Sequence, residues 1–157
     1  MSAGLLLARL ADHWRRHGAS PGTGVPEAAI AEFETQHGVR LPNDLRAYFG
    51  TFNGLANGRD DMTDETIGFW RLADLASVAE EAPLAGVPDA HRCFAIADYL
   101  ISSHFYVATL SGDPSAPAPI LFVWREGFAV LASSFEEFLK RYMAGDEAIL
   151  YGVGVVP

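Results

Sequence analysis

The chain has 157 residues, half of which are hydrophobic, and its net charge is −9 at pH 7. This length and apolar content predict one globular domain over residues 1–157 and exclude a disordered or low-complexity chain. The negative field repels nucleic-acid phosphates, so the composition argues against a nucleic-acid-binding protein.

The first third of the chain is predicted to be helical. Pro26 and Pro42 stand where first turns of a second and third helix begin. Residues typical of helix ends follow at Gly18, Gly38 and Asn53-Gly54. Between these signals the apolar residues recur at helical spacing: Leu6, Leu7, Leu10 and Trp14; Ile30 and Phe33; Leu45, Tyr48, Phe49 and Phe52.

The middle of the chain changes from helical to strand periodicity. A polar, acidic loop is predicted at 56–65, followed by an apolar run at 67–70. Apolar spacing then indicates a short helix over 72–79, which the prolines in 83–88 end. Four short β-rich runs joined by turns predict an antiparallel meander: 94–98, 104–110, 120–124 and 128–132.

A last helix begins at Ser134, since Ser134 and Glu137 have the spacing of a capping box. Its apolar face is Phe135, Phe138, Leu139, Tyr142 and Met143. Helices before and after an antiparallel meander predict an α+β fold, in which a twisted antiparallel sheet carries helices packed on one face.

One segment, 30–54, combines several helix signals in a distinctive order. It is IAEFETQHGVRLPNDLRAYFGTFNG, in which a helix with Glu34 is followed by Gly38, Leu41-Pro42, an aromatic helix and a closing Asn53-Gly54. This pattern resembles the signature of the SUKH superfamily, and the resemblance covers about residues 25–144. It implies a SUKH-like α+β domain. We interpret the motif residues as scaffold, because helix caps and apolar helix faces usually serve folding.

The chain departs from the superfamily pattern at one turn. Many members follow the central strand with a Gly-rich turn, whereas this chain has Asp-Tyr-Leu-Ile-Ser-Ser at 98–103. The departure indicates a divergent branch of the superfamily.

The resemblance implies a binding function without catalysis. It favours an immunity protein that neutralises a cognate polymorphic toxin, of nuclease or deaminase type. The alternative that it implies is a cytoplasmic regulatory adaptor like the fungal cell-wall-assembly regulators. Residues 56–157 carry fifteen acidic against six basic side chains, and a nuclease presents a basic cleft. We therefore expect a basic toxin domain as partner, and neither nucleic acid nor membrane.

The acidic loop, residues 56–65, is the candidate partner-binding site. Charged side chains steer encounter, and aromatic side chains supply affinity. An ordinary solvated loop is the alternative interpretation. The predicted partner-binding residues are four acids of the loop and three residues after it: Asp60, Asp61, Asp64, Glu65, Trp70, Asp98 and Tyr99.

Two other groups of residues have the composition of a chemical site. His13 and His17 stand four apart on the first helix, a spacing that can share a metal ion. No third ligand is near them in the sequence, so neither a metal site nor a cofactor is predicted.

Asp98, Ser102 or Ser103, and His104 are the residue types of a nucleophilic triad. The chain has no GxSxG elbow, so no catalytic residue is predicted, and a small hydrolase remains a third alternative.

Cys93 is the only cysteine, which excludes an intramolecular disulfide and a cysteine-based zinc site. We expect it to be a small buried hydrophobe. The apolar run at 4–10 is too short to span a bilayer. Together these features predict a reducing, cytoplasmic setting.

Overall fold

A computed structural model describes residues 2–152, which form six α-helices and six strands. The helices are α1 (Ala3–Arg16), α2 (Glu27–His37), α3 (Asn43–Thr51), α4 (Val78–Glu81), α5 (Phe135–Met143) and α6 (Glu147–Tyr151). The strands are β1 (Ile67–Phe69), β2 (Ala76–Ser77), β3 (Cys93–Tyr99), β4 (His104–Thr109), β5 (Ile120–Trp124) and β6 (Gly127–Ala132). Short 3-10 turns lie at Gly58–Asp60, Leu72–Asp74 and Ala90–Arg92.

All strand pairs in the sheet are antiparallel. The strand order is β1-β3-β4-β5-β6, and β2 also pairs with β3. Successive strands from β3 to β6 are neighbours, which is the predicted meander. The α+β fold with an antiparallel sheet is therefore confirmed.

Helices α1 and α5 each begin at a serine cap, of which the sequence predicted the one at Ser134. The Ser2 hydroxyl accepts a hydrogen bond from the Leu5 amide at the start of α1, and the Ser134 hydroxyl accepts one from the Glu137 amide at the start of α5. Such caps satisfy amides that the first turn of a helix leaves unpaired. Helix α1 buries the apolar face predicted for it, and α5 buries its predicted face except for Met143, which is partly exposed.

Aromatic side chains join the helices to the sheet. The Trp14 ring centroid on α1 lies 5.1 Å from that of Phe69 on β1. On β4 the Tyr106 ring centroid lies 5.3 Å from that of Phe138 on α5, and the Tyr106 hydroxyl donates to the Ile149 carbonyl of α6. Each of these rings is nearly or completely excluded from solvent, so the core is continuous from helices to sheet.

The predicted helix over 72–79 is wrong as a single element. Leu72–Asp74 forms a 3-10 turn, Ala76–Ser77 forms β2, and only Val78–Glu81 is α-helical. Pairing of Ala76 with Ala95 of β3 extends the chain at this point. A tertiary contact has therefore overridden the local apolar spacing.

Three polar residues of segment 30–54, Glu34, Asp44 and Asn53, form hydrogen bonds within the protein, which agrees with their interpretation as scaffold. Glu34 Oε2 accepts hydrogen bonds from the Leu41 amide at 2.7 Å and the Arg46 guanidinium at 2.5 Å. Burial alone would raise the pKa of Glu34, but these two donors hold it below its ordinary value. Asn53 Oδ1 accepts from the Leu72 amide at 2.7 Å, and Asp44 Oδ2 from the Glu136 amide at 3.0 Å.

Candidate functional site

The acidic loop is held in one conformation by its own hydrogen bonds. The Asp61 amide donates to the Gly58 carbonyl at 3.1 Å and closes the 3-10 turn. Further along, the Thr63 amide donates to the Ile67 carbonyl at 2.9 Å. These hydrogen bonds order the backbone of the loop, and its acids point in different directions.

The first half of the loop borders a surface cavity of about 180 Å³. Asp60 and Asp61 line this cavity together with Met62, Asp98 and Ile101. Met62 is 40% exposed and Ile101 is 80% exposed. Two exposed apolar side chains thus stand beside two acids, which is the composition of a protein-binding patch with a charged rim. We call these five residues the cavity patch.

Trp70 lies beneath the cavity patch and is completely buried. Its Nε1 donates a hydrogen bond to Asp98 Oδ1 at 3.2 Å, and the Arg59 guanidinium lies 3.9 Å from its ring centroid. The prediction that Trp70 contacts a partner directly does not fit this position. Its effect on the surface is indirect, through Asp98 and Arg59.

Asp98 is only 7% exposed and is held by two donors. Besides the Trp70 indole, the Ser102 amide donates to its Oδ2 at 2.9 Å. Burial raises the pKa of Asp98, although the hydrogen bonds and the charge of Arg59 oppose that effect. Asp98 therefore connects the floor of the cavity to the turn after β3.

That turn has an unusual backbone. Leu100, Ile101 and Ser102 have φ angles of 48°, 51° and 68°, in the left-handed region that favours glycine. The Leu100 amide donates to the Thr66 carbonyl at 2.9 Å, which ties the turn to the end of the acidic loop. The turn presents Leu100 and Ile101 to solvent.

Tyr99 does not join the cavity patch. In the β3–β4 pair Tyr99 faces His104, whereas Asp98 faces Phe105. Since neighbouring residues of a strand point to opposite faces, Tyr99 and Asp98 lie on opposite faces of the sheet. The Tyr99 ring stacks on that of His104 at 4.8 Å.

The second half of the acidic loop faces α1. Asp64 Oδ1 lies 2.9 Å from His17 Nδ1, and Glu65 Oε1 lies 2.9 Å from His13 Nε2. The Tyr142 hydroxyl of α5 also donates to Glu65 Oε1, at 2.8 Å. The structure thus supplies the histidine pair with the acidic neighbours that sequence spacing did not reveal. The four predicted acids are divided between two surfaces.

The triad residues are not assembled as a triad. Asp98 and His104 lie on opposite faces of the sheet. His104 Nε2 is 3.1 Å from the Tyr106 hydroxyl, and burial lowers the pKa of His104 to about 4. Asp98 Oδ2 instead accepts hydrogen bonds directly from the Ser102 amide and hydroxyl. The histidine that a triad requires between its acid and its serine is therefore absent from this position.

Cys93 is buried, as predicted. Burial, and then the charge of Asp89, raise the pKa of its thiol to about 11. The reactive thiolate is therefore scarce at neutral pH.

Sequence reasoning missed two contributors to the cavity patch and its support: Arg59 and Ile101. An apolar pair at 100–101 inside a tight hairpin turn was a usable signal, because turns are usually polar. Arg59 carried no comparable signal. Within residues 2–152 we find no helix with the length and apolar character needed to cross a membrane.

Comparison with known proteins identifies the family to which the chain belongs. The family model for the SMI1 / KNR4 family (SUKH-1) matches residues 24–141. A search of curated proteins returns no match. The matched region contains the acidic loop, the whole sheet and nearly all of α5, and α1 precedes it. Because the match spans most of the sequence and agrees with the motif at 30–54, the chain belongs to the SMI1 / KNR4 family (SUKH-1).

Proposed function

We propose that the protein is an immunity protein that binds and neutralises a basic toxin domain, of nuclease or deaminase type, through the cavity patch. The observation that carries this proposal is the position of exposed Met62 and Ile101 beside Asp60 and Asp61 on one rigid surface. Family membership supports a binding role, because the superfamily includes toxin-immunity proteins.

The two kinds of side chain have separate roles in this proposal. Asp60 is exposed and Asp61 partly exposed, so their charge acts through solvent and speeds the approach of a basic surface. Ile101, with 80% of its surface exposed, enters an apolar pocket of the toxin and slows dissociation. Hot spots of this kind are apolar residues at the centre of a water-excluding contact.

The protein binds and does not catalyse in this proposal. Asp98 and His104 lie on opposite faces of the sheet, and no histidine is among the residues that line the cavity in the part of the chain that the structure describes. Neutralisation then follows from occupation of the toxin's basic cleft, with one immunity protein for each toxin.

The test uses a toxin encoded beside the gene of this protein. The purified toxin domain is expected to lose its nuclease or deaminase activity at a 1:1 ratio with this protein. Its association rate is expected to fall by about tenfold between low and physiological salt, because exposed charges are screened over about 8 Å at physiological ionic strength. Binding kinetics at two salt concentrations measure this.

Matched variants separate local from overall charge. The double variant Asp60→Asn/Asp61→Asn is expected to slow association, whereas Glu32→Gln/Glu126→Gln removes the same charge from exposed sites elsewhere and is expected to act less. Ile101→Ser is expected to raise the dissociation rate, and Val130→Ser, at a 61% exposed position on β6, is its control. Equal effects of variant and control would reject the cavity patch as the interface.

The regulatory adaptor is the other outcome of this test. A gene without an adjacent toxin, together with a protein that inhibits no toxin, favours the adaptor function.

A further inference from the structure

Two histidines of α1 and the second half of the acidic loop place metal-ligand atoms around one point. His13 Nε2 lies 2.9 Å from Glu65 Oε1, and His17 Nδ1 lies 4.0 Å from the same oxygen. One ligand atom from each of the three residues lies within 4.8 Å of the others. We propose that His13, His17 and Glu65 bind one Zn²⁺ ion, with Asp64 or water as fourth ligand. We call these four residues the histidine cluster.

The ligand types favour zinc over the hard cations. Zinc takes imidazole nitrogen and carboxylate oxygen at about 2.0–2.2 Å, which places neighbouring ligands of a tetrahedral site about 3.3–3.6 Å apart. The separations of 2.9 Å and 4.0 Å from Glu65 Oε1 lie on either side of that range, so small side-chain movements are enough. Calcium and magnesium take oxygen ligands, which a pair of imidazoles does not supply.

The histidine cluster is preorganised by the fold. His13 lies on α1 and His17 caps the C-terminal end of that helix, and both rings contact the acidic loop. Their ring centroids are 4.4 Å apart, and the Tyr142 ring lies 4.7 Å from that of His13. The Asp64 amide donates to the His17 carbonyl at 2.8 Å, which fixes the loop against the helix. Binding an ion therefore requires little additional ordering.

Tyr142 holds the Glu65 carboxylate in place. Its hydroxyl donates to Glu65 Oε1 at 2.8 Å. Hydrogen bonds of this kind to a ligating carboxylate are common around protein metal sites and strengthen binding.

The charges near the histidine cluster are mixed. His13 also borders a cleft between α1 and α5 that is lined by Arg9, Asp12, Arg16 and Lys140. The basic side chains oppose a cation, but Glu65 is itself one of the three proposed ligands, and Asp64 Oδ1 lies 2.9 Å from the ligand atom of His17. Because electrostatic attraction falls with distance, two carboxylates at the site outweigh cations that line the cleft.

The test requires only the purified full-length chain without a histidine tag. Isothermal titration with ZnCl₂ near neutral pH is expected to show one site. Zinc at about 100 times its Kd is expected to raise the Tm by about 5–10 °C, and EDTA is expected to reverse the shift. Visible absorption of the Co²⁺ form reports whether the coordination is tetrahedral.

The variants locate the site. His17→Gln and Glu65→Gln are each expected to weaken zinc by about 100-fold or more, since loss of an outer hydrogen bond alone costs about 10–100-fold. Both positions are partly exposed, so these variants are expected to fold, which the Tm without zinc verifies. The control is His91→Gln, an exposed histidine outside the cluster.

Zinc affinity that is unchanged in His17→Gln and Glu65→Gln, or equally weakened in His91→Gln, would overturn the proposal. The histidines would then only form hydrogen bonds to the acids. This result is independent of toxin binding, because the cavity patch shares no residue with the histidine cluster.

Discussion

The two halves of the acidic loop carry the same number of acids but lie in different surroundings. Asp60 and Asp61 border the open cavity patch beside exposed apolar side chains. Asp64 and Glu65 face two histidines and a tyrosine. Asp61 accepts hydrogen bonds from the Asn57 and Met62 amides of the loop itself, so the first pair still faces a partner, whereas the second pair is engaged with other elements of the fold.

This difference shows that charge density along a sequence does not define a surface. Thr63 separates the two pairs and is 2% exposed, so the chain turns inward between them. Neutralising all four acids together would mix effects on association with effects on the fold. Variants of each half separately are therefore more informative.

The largest loss of stability is expected from a substitution that removes the support of the cavity patch. Asp98→Ala leaves the Trp70 indole and the Ser102 amide without their acceptor, and unsatisfied buried donors cost about 1–3 kcal/mol each. We expect the free energy of unfolding to fall by about 2–4 kcal/mol, measured by urea denaturation. Asp113→Ala, which removes an acid from an exposed turn, is the control. A loss no greater than that of the control would contradict the supporting role of Asp98.

A pH scan tests the hairpin on which the cavity patch rests. Folded His104 has a pKa of about 4, whereas an unfolded histidine has one of about 6.5. Between these values the unfolded chain binds more protons, so the free energy of unfolding should fall as pH falls, by up to about 3 kcal/mol in total. Above pH 6.5 this stabilisation is fully present.

The measurement is urea denaturation between about pH 6.5 and 5, above the range in which ordinary carboxyl groups titrate. His104→Gln is expected to flatten the pH dependence, and His91→Gln is expected to leave it unchanged. A His104→Gln profile as steep as the original would show that another group is responsible.

A smaller loss of stability is expected when the contact between Glu65, in the second half of the loop, and α5 is removed. Tyr142→Phe removes the hydrogen bond to the partly buried Glu65, so the free energy of unfolding should fall by about 1–2 kcal/mol. Tyr151→Phe, at a 64% exposed position, serves as control, and urea denaturation measures both variants. If both substitutions have equal effects, the contact between α5 and the loop contributes nothing to stability.

The smallest change in stability is expected from substitutions in the first half of the loop, at Asp60 and Asp61. Asp60→Asn/Asp61→Asn changes exposed or partly exposed side chains, so the free energy of unfolding should change by less than about 0.5 kcal/mol. The same double variant is expected to slow association with the toxin. A large loss of stability would mean that this half is also part of the scaffold, and the contrast between the halves would fail.

Sequence signals predicted the parts of the fold that local chemistry determines. The caps at Ser134 and Gly38, and the apolar face of α1, depend on residues within a few positions of each other. The prediction of a short helix over 72–79 was wrong because residues 76–77 are extended by pairing with β3. Local spacing contains no information about that distant strand.

The site was predictable only in part for the same reason. The sequence identified His13 and His17 as a pair, but Glu65 reaches them from 52 residues away from His13 along the chain. Trp70 was predicted to be an exposed aromatic contact. In the structure its indole is buried, donates a hydrogen bond to Asp98 and is covered by the Arg59 guanidinium. Long-range contacts decide both outcomes.

The left-handed turn at 100–102 carries a cost that engineers of a more thermostable form would be inclined to remove. A β-branched residue such as Ile101 at a φ of 51° loses about 1–2 kcal/mol relative to relaxed backbone. Glycine at this position would recover part of that energy, and would also delete the most exposed apolar side chain of the cavity patch. Stability and toxin affinity are therefore expected to trade against each other at this single position, and a stabilised variant should be selected by screening both properties together.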